Sequence, residues 1–276
     1  MHPELFRLAF TLPGWLPGFL RGPHSWALPS YGVLVAAGFL LGWWLATRLA
    51  RRSGLPPERI SDLTVWSLLV GLAGSKLSLV LLDLPSYLQD PGLLLGTLRY
   101  AGVFYGGLLA GLLFVLWYCR RHRLPLGKVL DVFAAPLALA HAFGRLGCFA
   151  AGCCFGTRCS LPWAVVFHEE AAAKNVGTPL DVALHPVQLY EAGSNLLLFL
   201  LLLWLFPRKR FDGMLAALWL LLYAGSRFLW EFFRADARGA LGPLSTSQWL
   251  AVAVAAVTAA VLLARARRPA PGGRAA

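Results

Sequence analysis

The chain predicts an all-α membrane protein with seven transmembrane helices, and three observations carry that expectation. Mean hydropathy is +0.63, with 58% hydrophobic and only 14% charged residues among 276, which is the balance of an integral membrane protein. Seven apolar runs have spanning length. Cations gather after every second run, the pattern by which loops on the cytoplasmic side are recognised. That alternation puts the N-terminus outside, the C-terminus in the cytoplasm and a long loop region on the outer side. The formal net charge of +12 falls in short clusters between apolar runs. It therefore reads as topology signal and contact with lipid headgroups, and no nucleic acid is expected as a partner. The 11 Trp and 17 Phe suit interfacial aromatic belts.

Residues 1–28 contain Pro13, Gly14, Pro17, Gly18 and Pro23, which are hostile to a helix. They have no uninterrupted apolar core or small-residue cleavage site, so they are expected to stay on the chain as an interfacial segment. The spans are expected near residues 30–49, 61–82, 101–119, 129–150, 188–206, 213–233 and 245–264. Arg51, Arg52 and Arg59 follow the first, and Arg120, Arg121, Arg123 and Lys128 the third. Arg208, Lys209 and Arg210 follow the fifth, and Arg265, Arg267 and Arg268 the seventh. The alternate loops are poorer in cations: Arg99; then Arg158 and Lys174; then Arg234 and Arg238. Residues 151–187 form the longest soluble stretch, longer than a plain connection requires. The basic tail, about 265–276, is expected to be disordered. The whole chain, 1–276, reads as one integral membrane domain without internal repeats.

Five stretches carry groups capable of chemistry. The central one runs from His141 through Arg145, Cys148, Gly152, Cys153 and Cys154 to Gly156. An arginine at membrane depth is expensive unless it is paired or faces a wet cavity, so Arg145 marks a functional site. The second holds Tyr223, Arg227, Glu231 and Arg234, which recur at helical spacing and so share one face. Glu231 either neutralises Arg227 as a simple i,i+4 pair or serves the site. The third is His185-Pro186-Val187-Gln188-Leu189-Tyr190-Glu191, where Gln188 and Glu191 share a face and can position or balance an arginine. The fourth holds Tyr105, Gly106, Gly107 and Gly111; its glycines either approach a ligand or permit tight helix packing. The fifth is Ser30-Tyr31-Gly32. By the charge-derived topology all five lie toward the outer leaflet. Paired arginines with carboxylates and tyrosines there suit an anionic lipid headgroup, its phosphate held between guanidiniums.

These residues resemble the prolipoprotein diacylglyceryl transferases. The resemblance is carried by Tyr31-Gly32, Gly106-Gly107, Gly144-Arg145-Leu146-Gly147, Gly152, Gly156, the stretch from His185 to Glu191 and the stretch from Tyr223 to Arg234. It extends in order from residue 30 to 234. It implies a seven-span enzyme of the bacterial cytoplasmic (inner) membrane with its active site toward the outer leaflet. The implied reaction moves the diacylglyceryl group of phosphatidylglycerol to the thiol of the lipobox cysteine of a preprolipoprotein signal peptide, as the first step of lipoprotein maturation. By position, Arg145 binds the lipid phosphate, Arg227 stabilises charge as the phosphate departs, and Glu231 orients Arg227. Tyr31, Tyr223, Tyr105, Gly106, Gly107, Gly156 and Glu191 are the implied substrate-binding positions.

The pattern also departs from the family. Cys148, Ala151 and Cys153 stand where it usually has asparagine, asparagine and glutamate, and Tyr105 stands where it usually has histidine before the glycine pair. His141, four residues before Arg145 and on the same helical face, is the substitute general base, or else a structural histidine. The expected reading of Cys148, Cys153, Cys154 and Cys159 is one or two disulfides that stiffen the loop after Arg145. A reactive thiol is the other reading. A metal is not expected, since adjacent Cys153 and Cys154 do not have the usual paired ligand spacing, and no cofactor is expected. The rival functions are a lipid-binding or lipid-translocating protein, or a related transferase with another acceptor, using the same arginine-lined cavity.

Overall fold

The computed structural model describes residues 4–11, 23–90, 92–97, 102–235 and 239–266. It opens with two strands, β1 (Glu4–Thr11) and β2 (Pro23–Pro29), followed by α1 (Ser30–Arg52), α2 (Pro57–Leu82), α3 (Leu84–Gln89), α4 (Leu93–Thr97), α5 (Phe104–Arg121) and α6 (Leu126–Ala151). A short connecting region follows, with β3 (Val165–Val166), α7 (Glu170–Val176) and β4 (Ala183–Leu184). The chain closes with α8 (Val187–Leu205), a single 3₁₀ turn over Phe206–Arg208, α9 (Met214–Glu231), β5 (Ala240–Leu241), β6 (Leu244–Ser245) and α10 (Thr246–Ala266).

A helix satisfies its backbone N–H and C=O groups internally, which suits a chain this apolar. A helix of 18 residues or more lies on each of the seven expected runs, with ends that differ by up to three residues inside the run. Among the described residues, five stretches are long and apolar enough to cross a membrane: α1, α2, α6, α8 with its 3₁₀ turn, and α10. The other two, α5 and α9, have 18 residues each; α5 ends in Arg120 and Arg121, and α9 carries Arg227 and Glu231. Many large apolar side chains point outward, among them Trp66, Leu109, Leu197, Trp204 and Leu263, as a surface that meets lipid would have them.

Three stretches carry structure beyond the seven expected runs. The described parts of residues 1–28 form an antiparallel pair, with Glu4 opposite Pro29 and Thr11 opposite Pro23. Pairing lets each strand satisfy the other's backbone groups where proline and glycine forbid a helix. The 151–187 region is built as well, with β3 and β4 paired antiparallel and α7 between them. Of the expected disordered tail, Arg265 and Ala266 complete α10; residues 267–276 lie outside the described residues, as do Arg99 and Arg238.

The chain divides into two units, residues 43–132 and residues 1–42 with 133–276. In the first, α2 and α5 pack at close range through small residues. A Cβ on Gly107 would stand 2.8 Å from the carbonyl oxygen of Gly71, a separation that only glycine permits. Trp43 Nε1 donates to Ser61 Oγ at 2.9 Å, and Lys76 Nζ donates to the Thr97 carbonyl at 2.7 Å. In the second unit α9 packs against both α8 and α10. One face of α8 is buried at Val187, Gln188, Glu191, Ala192, Asn195, Leu198 and Leu202. Those positions follow the three-to-four-residue repeat of a helix face, so polar Gln188, Glu191 and Asn195 lie on the same inward stripe as the leucines. The site is assembled on that stripe.

Candidate active site

Glu191 is the hub. Its side chain is 4% exposed, one turn into α8. Oε2 receives Arg145 Nε from α6 at 2.5 Å. Oε1 receives Arg234 Nη1 at 3.0 Å and Arg227 Nη1 at 3.3 Å. Arg227 Nη2 also reaches Glu231 Oε2, one helical turn on, at 2.6 Å, and Ser245 Oγ donates to Glu231 Oε1 at 2.8 Å. Among the described residues, three guanidiniums thus face two carboxylates, leaving a positive excess well suited to an anion. Buried ions persist only when paired and hydrogen-bonded, and every member of this set has such a partner.

Arg145 differs from the other two arginines. Its side chain is 15% exposed, against 10% for Arg227 and 2% for Arg234. His141 Nε2 accepts from Arg145 Nε at 3.3 Å, so both of these contacts fall on Nε and leave the end-on fork of Nη1 and Nη2 to other partners. The His141 ring lies 5.0 Å from that of Tyr223, which stacks at 5.8 Å on Trp219. Tyr31 is 45% exposed, and its ring closes on Gly147, where an added Cβ would stand 3.0 Å from Cδ2. Six expected residues, His141, Arg145, Glu191, Tyr223, Arg227 and Glu231, are thereby brought to one place.

The loop after α6 is held by the same stripe of α8. Gln188 Nε2 donates to the Cys153 carbonyl at 2.7 Å, and Thr178 Oγ1 donates to the Gly152 carbonyl at 2.6 Å. Gly152 has φ +74° and Cys154 φ +61°, so the chain turns sharply on either side of Cys153. That turn gathers Cys148, Cys153 and Cys154, whose sulfurs lie within 4.8 Å of one another. All five cysteines are free thiols, so the structure does not contain the expected disulfides among Cys148, Cys153, Cys154 and Cys159. The Cys148 and Cys153 thiols, with the Arg234 guanidinium beside them, hydrogen-bond the Cys154 sulfur and hold its thiol well below the ordinary range. Cys153, hydrogen-bonded to Cys148 and Cys154, is pushed up. Spacing along the chain argued against a metal, yet the fold brings three of the four sulfurs together.

Other expected site residues have different surroundings. Gly156 is buried: a Cβ there would stand 2.5 Å from the His185 carbonyl oxygen and 2.7 Å from Val187 Cγ2. Its backbone pairs antiparallel with Arg234. The glycine therefore serves the chain's own close approach. Gly106 and Gly107 face α2 inside the other unit, and Tyr105 is 63% exposed with its ring edge-on to Phe104. His185 and Tyr190 belong to an aromatic group with Trp230 and Phe233, in which Trp163 Nε1 donates to Tyr190 OH at 2.8 Å.

Arg234 is the member that sequence reasoning undervalued. Helix α9 ends at Glu231, so Arg234 lies beyond the helical face on which its spacing placed it. The turn at Phe232 and Phe233 and the pairing with Gly156 bring it back to Glu191. The available signal was a cation three residues after a glutamate, in a loop otherwise poor in cations.

Comparison with known proteins identifies the family. The prolipoprotein diacylglyceryl transferase family model matches residues 20–264. The phosphatidylglycerol–prolipoprotein diacylglyceryl transferase of Clostridium tetani is 32% identical over 223 residues, covering 81% of this chain and 87% of the relative. The enzyme of the same name from Synechococcus elongatus is 33% identical over 255 residues, covering 90% and 86%. That of Ruegeria pomeroyi is 36% identical over 248 residues, covering 85% and 80%. Similarity so extended takes in both units and every segment that supplies a charge to the Glu191 hub, and the chain belongs to the prolipoprotein diacylglyceryl transferase family.

Proposed function

We propose that this protein transfers the diacylglyceryl group of phosphatidylglycerol to the thiol of a cysteine in a preprolipoprotein signal peptide. The observation that carries the reading is the Glu191 hub, with Arg145 its most exposed guanidinium. The names of the relatives support the substrates. In the reaction the acceptor thiol gives up its proton, and its sulfur bonds to the terminal glyceryl carbon. The carbon–oxygen bond to phosphate breaks, and glycerol phosphate leaves with the electron pair.

Charge grows on the departing phosphate, so donors fixed in advance near it are worth most. Glu191 and His141 hold Nε of Arg145, and its Nη fork, beside Tyr223, takes the phosphate in bidentate fashion. Arg227, braced by Glu191 and Glu231, meets the charge that develops. Tyr31 and Tyr223 flank the headgroup. His141 acts as a positioning residue for Arg145, because its Nε2 lone pair is directed at that guanidinium rather than at an acceptor. The seven long helices cross the membrane, α5 and α9 included. The N-terminus lies outside, the C-terminus is cytoplasmic, and the 151–187 region and the hub face the outer leaflet of the bacterial inner membrane. Cation-rich ends at Arg51 and Arg52, Arg120 and Arg121, Arg208 and Arg265 support that orientation.

The test is transfer by the purified protein from phosphatidylglycerol to a lipobox peptide, following peptide mass and glycerol phosphate release together. The expected result is one diacylglyceryl group gained per peptide, with a rate reduced about 100-fold or more in Arg145→Ala and in Arg227→Ala. Arginine-dependent binding of the lipid with no transfer by the wild type overturns the reading and leaves a lipid-binding protein.

A further inference from the structure

We propose that Cys148, Cys153 and Cys154 form a three-thiolate site for zinc whose open fourth position binds the acceptor thiol. This rests on the transferase reading above and deepens it. Three observations meet here. The three sulfurs lie within 4.8 Å of one another, all three half-buried, and each is a free thiol. Sulfurs around a tetrahedral zinc stand about 3.8 Å apart, given Zn–S bonds near 2.3 Å, so closing onto the ion takes a shift of about 1 Å or less. Moreover, the ligand loop is held from outside: Gln188 fixes the Cys153 carbonyl, Thr178 fixes the Gly152 carbonyl, and Cys154 has a left-handed backbone, which a non-glycine residue adopts at some expense.

No fourth histidine, cysteine or carboxylate joins the group among the described residues. Glu191 and Glu231 are engaged by arginines, and His141 Nε2 by Arg145. Three protein ligands with one position open is the pattern of a zinc that acts on a substrate, whereas a structural zinc is closed by four. Three thiolates on a dication carry one net negative charge. Arg145 and Arg234 stand within electrostatic reach of the sulfurs and balance it.

The chemistry follows from the coordination. A thiol taking the fourth position loses its proton to solvent, as metal binding requires. The bound thiolate attacks the glyceryl carbon with a sulfur electron pair, and the carbon–oxygen bond breaks toward the phosphate held by the arginines. The resulting thioether, a neutral and weaker ligand, leaves the metal. No electron is gained or lost overall.

The test uses the full-length protein in detergent, loaded with zinc salt and then desalted. About one zinc per chain is expected, lost in Cys153→Ser and in Cys154→Ser and kept in Cys119→Ala. Cobalt(II) exchanged into the wild type should give the near-ultraviolet thiolate charge-transfer bands of a tetrahedral thiolate site, a readout independent of whether any variant folds. Chelation should cut transfer at least tenfold with phosphatidylglycerol binding unchanged, and added zinc should restore it. Less than about one-tenth of a zinc per chain at zinc excess, or full transfer by metal-free protein, overturns the proposal. Stoichiometric zinc with cobalt–thiolate bands but no transfer in any form would keep the cation site and overturn the transferase reading instead.

Discussion

Glu191 sets the residue-scale behaviour, because one carboxylate holds three guanidiniums from three separate segments. Replacing it by glutamine keeps the shape and removes the countercharge, leaving buried arginines uncompensated. Breaking a buried ion pair from one side is worth about 3–5 kcal/mol, so Glu191→Gln should lower the denaturation midpoint sharply as well as abolish transfer. A midpoint within a degree or two of wild type would show that the arginines do not depend on it. His141 has a different signature. As a positioning residue it should tolerate His141→Gln, whose amide oxygen still accepts from Arg145, with transfer kept within about tenfold and the pH profile unmoved. A general base contributes about 10²–10⁴-fold; a loss of that size in both His141→Gln and His141→Ala, with the acidic limb of the profile gone, would make His141 the base.

At the scale of elements, the loop after α6 is held in place by backbone conformation. Gly152 combines φ +74° with crowding: an added Cβ would stand 2.7 Å from that of Ala172 and 3.2 Å from Phe167 Cδ1. Gly177, at the C-terminus of α7, has φ +71° and open space around it. A left-handed conformation alone is worth about 1–2 kcal/mol against a side chain. Gly177→Ala should therefore lose about that much stability, read from chemical denaturation. Gly152→Ala should lose clearly more and reduce transfer as well, since Gly152 opens the turn that carries Cys153 and Cys154. Equal losses at the two positions would mean that Phe167 and Ala172 yield freely. Helix α8 couples the loop to the hub, with Gln188 on the Cys153 carbonyl and Glu191 on the arginines three residues later.

For the whole molecule, the decisive property is orientation. The proposed topology puts the α1–α2 and α5–α6 connections in the cytoplasm and the loop from Gly152 to Pro186 outside. Single cysteines at Ser53 and at Thr157, in a background without the native thiols, should label oppositely with a membrane-impermeant maleimide on intact cells. Thr157 is expected to react before lysis and Ser53 only after it. The reverse order would place the hub on the cytoplasmic side, away from the compartment in which the acceptor peptide is proposed to meet it. Both sites should be read by mass, so that partial labelling is not mistaken for access.

Local chemistry made the helical plan legible in part: apolar runs long enough to span read as helices from composition alone, a helix lies on each, and five of these are long and apolar enough to cross a membrane among the described residues. The Arg227–Glu231 pair was legible for the same reason, since four residues on a helix bring two side chains together wherever the helix lies. Arg145 announced itself by the expense of a charge among apolar residues. The strands near the N-terminus were not legible, because their pairing is a relation between two segments separated by prolines and glycines. Nor were the partners of Glu191, which stand 36, 43 and 46 residues away along the chain. Which guanidinium reaches which carboxylate depends on how α6, α8 and the end of α9 pack, and no spacing encodes that. The same holds for the sulfurs: residues 148–159 hold four of the five cysteines at unpromising spacing. The left-handed turn at Gly152 and Cys154, held by Gln188, decided that three of them meet.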